Sequence, residues 1–114
     1  CLDDGKGLVL EREMSVKGGV LIPVPSFRCR IYQVDFAGAT DVSGMMALNG
    51  AEFRPVSKTP VFDQNTGFAM YEGMCLGPLL ADGSRSLLMI SDAGAGAMAR
   101  LYALKVSSPP SPQM

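Results

Sequence analysis

The stretch that decides the fold reads YEGMCLGP at residues 71–78 and continues through Asp82-Gly83 to SLLMISD at residues 86–92. Two short apolar runs separated by a turn signal predict two antiparallel strands, because Asp-Gly tolerates the left-handed backbone angles of a tight turn. Pro78 has no backbone donor, so we expect it to end the first strand. The stretch therefore predicts a β-hairpin.

The other apolar runs predict further strands and no helix. Prolines at both ends of residues 55–60 mark the strand there as an edge strand. Pro23 and Pro25 argue against a central strand, so residues 15–25 are expected to form a loop, as are residues 64–67. The predicted strands comprise residues 8–12, 28–36, 56–62, 70–76, 86–91 and 98–106.

One order of elements occurs twice in the chain: a turn, an apolar strand, a connecting segment and a strand that contains Arg and Tyr. The first copy contains LVL at residues 8–10 and RIYQV at 30–34, and the second contains LLMI at 87–90 and RLYAL at 100–104. Repetition of a meander is the sequence signature of radial or stacked all-β architectures. The alternative is a chance similarity between two hairpins in a small β-sandwich.

The repeat predicts an all-β fold of antiparallel meanders, equivalent to about two blades of a β-propeller-like domain. We expect one partial domain over residues 1–106, with blade-like units at about 4–63 and 69–106. Residues 107–114 are expected to form a Pro/Ser-rich tail. Each blade would have three strands, whereas a propeller blade usually has about four.

Composition excludes several classes of function. A net charge of −1 with 18% charged residues argues against a nucleic-acid-binding surface. The chain has no histidine, which excludes Ser-His-Asp and Cys-His catalysis and His-bearing zinc sites. No apolar run approaches the ~20 residues of a transmembrane segment. Cys29 and Cys75 fall within predicted strands and are expected to be buried thiols.

Several segments, in this order, resemble the phytase-like family, whose domain is called "esterase-like activity of phytase". The resemblance covers roughly residues 4–106. The segments are RIYQVD at residues 30–35, GATDVS at 38–43, PVSKT at 55–59, YEGMCLGP at 71–78, Asp82-Gly83 and Ser91-Asp92.

The resemblance implies a propeller-like domain several times longer than this chain, with phosphoester hydrolysis as its activity and phytate as the name-giving substrate. The chain would then be the C-terminal part of a phytase-like hydrolase, inactive alone and completed by N-terminal blades of the same protein. Members tend to be exported or membrane-associated, so a periplasmic, secreted or lumenal location is expected. Cys1 is either a lipidated residue exposed by signal cleavage or a position inside a longer chain, which the repeat favours.

Four charged residues are the candidate ligand-binding or channel-lining groups: Glu72, Asp92, Glu11 and Arg12. If Glu72 and Asp92 lie at strand ends, they would hold Ca²⁺, which prefers hard oxygen ligands and neutralises phosphate charge. Arg12 would bind the oxygens of a phosphorylated small molecule through its bidentate guanidinium. The alternative is structural: these charges fix turns or pair between strands, in a non-enzymatic binding or scaffold module.

Overall fold

A computed structural model of the chain describes residues 2, 5–17, 21–92 and 98–107. Within these residues the structure contains six antiparallel strands in two three-stranded sheets and no helix. The all-β prediction is therefore confirmed, while the propeller arrangement stays a prediction. The strands are β1 (Lys6–Lys17), β2 (Val24–Asp35), β3 (Ser57–Gly67), β4 (Tyr71–Leu79), β5 (Arg85–Ser91) and β6 (Leu101–Val106).

The first sheet has the strand order β1-β2-β3 and the second has β4-β5-β6. Contacts within the chain divide it into two compact units. One unit comprises Cys1–Glu11 and Cys29–Gln64, and the other comprises Arg12–Arg28 and Asn65–Met114. This division leaves the predicted blade boundaries untested. None of the described residues forms a helix long and apolar enough to cross a lipid bilayer.

The core of the first unit is built on β2, in which Cys29, Ile31 and Val34 are only 1–3% exposed. Cys29 and Ile31 are two positions apart, as expected for buried side chains on one face of a strand. Val34 is three positions after Ile31, so the pattern of buried positions shifts by one residue between them. Burial is the larger cause of a raised pKa of the Cys29 thiol, and the negative charge of Asp63 raises this pKa further. The prediction of a buried thiol is confirmed at this position.

The core of the second unit lies on one face of the second sheet. Leu87 and Met89 of β5 are buried, and Tyr102 of β6 lies opposite Met89. The ring of Tyr102 meets the buried ring of Tyr71 edge to face, with centroids 6.0 Å apart. This arrangement is the favoured one for aromatic pairs and joins β4 to β6 across the central strand.

The other face of the second sheet carries apolar side chains that are exposed. Ile90 lies opposite Leu101, and the two side chains are 51% and 69% exposed. Cys75 lies opposite Leu88 on this outer face and is exposed, so the prediction that it is buried was wrong. The period-two pattern of a strand shows which side chains share a face, but it does not show which of the two faces is buried in the core.

The prediction that Pro78 ends a strand was also wrong, because β4 continues through it to Leu79. The pairing with β5 shifts register between Leu76 and Leu79, which is a β-bulge. The Ser86 hydroxyl donates a hydrogen bond of 3.0 Å to the Pro78 carbonyl. A bulge tolerates proline because the extra residue is not required to donate to the ladder.

The strands of the first sheet are longer than predicted. Both ends of the expected loop at residues 15–25 belong to strands, residues 15–17 to β1 and residues 24–25 to β2, and Pro25 lies in the central strand of the sheet. Pro25 is the second residue of β2, where a missing donor disturbs only the end of the ladder. The expected loop at residues 64–67 is part of β3, which is an edge strand as predicted. Residues 93–97 and residues 108–114 of the expected Pro/Ser-rich tail lie outside the described residues.

The Asp82-Gly83 turn is confirmed. Gly83 has a φ of 79°, and the Asp82 carboxylate accepts a 3.0 Å hydrogen bond from the Ser84 amide. The same carboxylate accepts a bond from the Ser84 hydroxyl and forms an ion pair with Lys105 of β6. Lys105 and Ser84 together hold the pKa of Asp82 well below its usual range.

We expect this turn to make stability depend on pH at the acid end. Because the pKa of Asp82 is lowered by folding, its contribution is present above the unfolded value of about 3.9 and declines as pH falls below it. Asp82→Asn keeps the turn acceptor but lacks the charge, so its urea midpoint should fall below wild type at pH 7 and approach it at about pH 2. Lys105→Met should behave in the same way, and a pH-independent difference for both variants would contradict the assignment.

Candidate functional site

Glu72 lies at a β-bulge near the start of β4. Tyr71 pairs with Ser91 of β5 and Gly73 pairs with the adjacent Ile90, so Glu72 is the extra residue between them. A bulge leaves its extra residue outside the regular ladder and re-aims its side chain. The Glu72 side chain is 42% exposed and is therefore available to a ligand as well as to a protein partner.

Arg12 of β1 forms an ion pair with Glu72, which joins two of the four candidate residues. Its guanidinium Nη1 donates a hydrogen bond to Oε1 of Glu72. Both side chains are more than 40% exposed, so the pair lies at the surface of the second unit. A surface pair of this kind contributes up to about 1 kcal/mol to stability, which leaves the guanidinium free to exchange partners at small cost.

Asp92 follows β5 directly and lies at the same end of the β4–β5 pair as Glu72. Its amide donates a 2.9 Å hydrogen bond to the Met70 carbonyl, two residues before Glu72. The buried Ser91 hydroxyl accepts a 2.8 Å hydrogen bond from the Arg100 amide. This bond connects the end of β5 to the residue that precedes β6. The backbone therefore holds both carboxylate-bearing residues at one end of a strand pair.

Glu11 does not join this group. Successive side chains of a strand point to opposite faces, so Glu11 faces away from its neighbour Arg12. Its carboxylate forms an ion pair of 2.5 Å with Lys58, whose ammonium also lies 4.1 Å from the centroid of the Tyr32 ring. Lys58 was not predicted, because the register that brings β3 to this position cannot be read from the sequence.

The arrangement supplies two carboxylate side chains and one guanidinium to a possible ligand. In the part of the chain that the structure describes, no group of three or more His, Cys, Asp or Glu side chains is placed to hold a metal ion. Calcium takes about six to eight oxygen ligands. Glu72 and Asp92 have the right chemistry for a hard cation, and most of its ligands would have to be substrate, water or other groups.

The comparisons with known proteins identify the family. The family model "Phytase-like: Esterase-like activity of phytase" matches residues 1–93, a range that contains all four candidate residues. No curated protein and no solved structure gives a significant match to the chain. Because the family model covers most of the sequence, the chain belongs to the phytase-like family.

Proposed function

We propose that the chain forms part of a phosphoester hydrolase in which Glu72 and Asp92 bind Ca²⁺ and Arg12 binds a phosphate group of the substrate. Membership of the phytase-like family supports the reaction class. The observation that carries the site assignment is the Arg12–Glu72 ion pair, formed at a bulge beside Asp92. This ion pair joins a guanidinium, which suits a phosphate group, to a carboxylate, which suits a hard cation.

In this proposal Arg12 and Glu72 neutralise each other until the substrate arrives. A phosphate oxygen pair matches the planar fork of the guanidinium and would replace the carboxylate as its partner. Glu72 would then be free to bind the cation together with Asp92. The bound Ca²⁺ would supply charge neutralisation for the phosphate group and would position a water molecule.

We further propose that the two sheets are blades of a β-propeller whose remaining blades lie in a longer, exported polypeptide. The exposed pair Ile90 and Leu101 supports this proposal, because a neighbouring blade would cover that face of the second sheet. The chain alone would lack part of the substrate site and would be inactive.

The test is calcium-dependent release of inorganic phosphate from phytate by a phytase-like polypeptide that contains this sequence. We expect Glu72→Gln and Asp92→Asn each to lower kcat at least about tenfold and to weaken calcium binding measured by calorimetry. Arg12→Lys should mainly raise KM, because lysine cannot make the bidentate contact. Glu52→Gln alters an exposed carboxylate in the loop between β2 and β3 and is the matched control.

A second candidate is a non-enzymatic binding or scaffold module of the same fold. It is favoured by the observation that Arg12, Glu72 and Glu11 are all engaged in ion pairs within the chain. Under this alternative, Glu72→Gln would change the urea midpoint and leave calcium binding unchanged. Absence of phosphate release from the longer polypeptide, with or without calcium, would also decide in its favour.

A further inference from the structure

A tight turn at residues 48–51 lies in the loop that connects β2 to β3. The Ala51 amide donates a 3.1 Å hydrogen bond to the Leu48 carbonyl, so Asn49 and Gly50 occupy the two central positions of the turn. Gly50 has a φ of 78°, which glycine adopts without strain. The Asn-Gly pair therefore suits this turn, and it also places a carboxamide next to a backbone amide that has no side chain beside it.

Both central residues of this turn are exposed to water. A Cβ atom built at Gly50 would meet no described atom within 4 Å, apart from its neighbours in the chain. The space around the Gly50 peptide is therefore open, so the carboxamide of Asn49 has room to rotate toward the Gly50 nitrogen. Asparagine is one of the thermally labile residues of proteins, and this turn gives its side chain a reactive neighbour.

The loop is closed at its base by two hydrogen bonds that do not involve this turn. The Thr40 amide donates a 2.9 Å bond to the Arg54 carbonyl, and the Arg54 amide donates a 2.7 Å bond to the Thr40 hydroxyl. A covalent change at Asn49 alters the turn and leaves these two bonds in place. The strands β2 and β3 on either side are then expected to keep their structure.

We propose that Asn49 is a site of spontaneous covalent modification, converted in the folded chain to aspartate and isoaspartate. The Gly50 nitrogen gives up its proton to a base in the solvent and forms a bond to Cγ of Asn49. The bond from Cγ to the carboxamide nitrogen breaks, and ammonia leaves. Water then opens the resulting five-membered succinimide at either of its two carbonyl groups. No oxidant or reductant is consumed, and the chain gains one negative charge.

The second asparagine of the chain is an internal comparison. Asn65 lies in β3 and is followed by Thr66, whose branched side chain hinders attack by its own backbone nitrogen. The Oδ1 atom of Asn65 also accepts a 2.9 Å hydrogen bond from the Gly67 amide, which fixes the orientation of the carboxamide. Asn49 should therefore be converted at least about tenfold faster than Asn65.

The turn at Asp82 and Gly83 is a second comparison, because Gly83 has a nearly identical φ of 79°. Its side chain is a carboxylate that forms an ion pair with Lys105. An ionised carboxylate is a poor electrophile for a backbone nitrogen, whereas a carboxamide is neutral. The same backbone conformation should therefore give isoaspartate at residue 49 well before it gives isoaspartate at residue 82.

The test is incubation of the folded chain in mildly alkaline buffer, followed by proteolysis, chromatography and mass spectrometry of the peptides. The peptide that contains Asn49 should gain the mass difference between an amide and an acid and should separate into two products. Isoaspartate is the diagnostic product, because direct hydrolysis of the carboxamide gives aspartate alone. Asn49→Gln keeps the amide and Gly50, and conversion at residue 49 should be at least about tenfold slower, since the longer side chain is less well placed to close a ring.

Three results would overturn the proposal: equal rates at Asn49 and Asn65, aspartate without isoaspartate, or equal rates in wild type and Asn49→Gln. The converted chain should also keep the urea midpoint of the fresh chain, because the bonds between Thr40 and Arg54 remain. A lower midpoint would contradict the conclusion that the change stays within the turn. This inference is independent of the hydrolase proposal, since no residue of the turn belongs to that site.

Discussion

Gly77→Ala should destabilise the chain by about 3 kcal/mol. A Cβ atom at position 77 would overlap the hydroxyl oxygen of Ser86 and would lie 3.3 Å from a side-chain carbon of Leu88. Ser86 is buried and its hydroxyl satisfies the Pro78 carbonyl in the bulge. The added methyl group must displace that hydroxyl, so overpacking and loss of a buried hydrogen bond occur together. The urea midpoint at pH 7 measures the effect.

The same strand offers a matched control. A Cβ atom at Gly73 would lie 2.8 Å from the γ2 methyl group of Ile90, whose half-exposed side chain has room to change its χ1 rotamer. Gly73→Ala should therefore cost less than about 1 kcal/mol. Adding Ser86→Ala to Gly77→Ala removes the oxygen that clashes, so the double variant should be more stable than Gly77→Ala alone. Simple additivity of the two substitutions would contradict the steric explanation.

The bulges mark the limit of what the sequence predicts about this fold. Strand positions follow from runs of apolar residues and turn residues, and Ile31 and Met89 are buried where such runs place them. Whether Pro78 ends a strand depends on its partner in β5, because a register shift removes the need for its missing donor. The exposure of Cys75 depends similarly on which face of the sheet another element covers.

The sequence predicted which charged residues belong to the candidate site, but it did not predict which of them form ion pairs with one another. Glu72 and Asp92 belong to one predicted hairpin, so their location at one end of a strand pair follows from local sequence. Arg12 and Glu72 are 60 residues apart, and their contact depends on long-range packing that no sequence period encodes. Glu11 and Arg12 are neighbours in sequence, yet the pleat of β1 sends them to different partners.

Ile31→Ala should have the largest effect on stability, a loss of about 4 kcal/mol in the free energy of unfolding. Ile31 is 1% exposed in the central strand of the first sheet, where Cys29 and Val34 are the other buried apolar residues of β2. Truncation removes apolar contacts and leaves a cavity that hydrogen-bonded neighbouring strands cannot readily close. Small domains have total stabilities of about 5–15 kcal/mol, so this single change would remove a large share of that margin.

Ile22→Ala is the matched control because it removes the same atoms from a side chain that is 73% exposed. Its unfolding free energy in solution should stay within about 0.5 kcal/mol of wild type. Urea unfolding followed by far-ultraviolet circular dichroism measures both variants, with equal denaturant slopes required for the comparison. An Ile31→Ala loss as small as that of Ile22→Ala would mean that the first unit has no fixed core around β2.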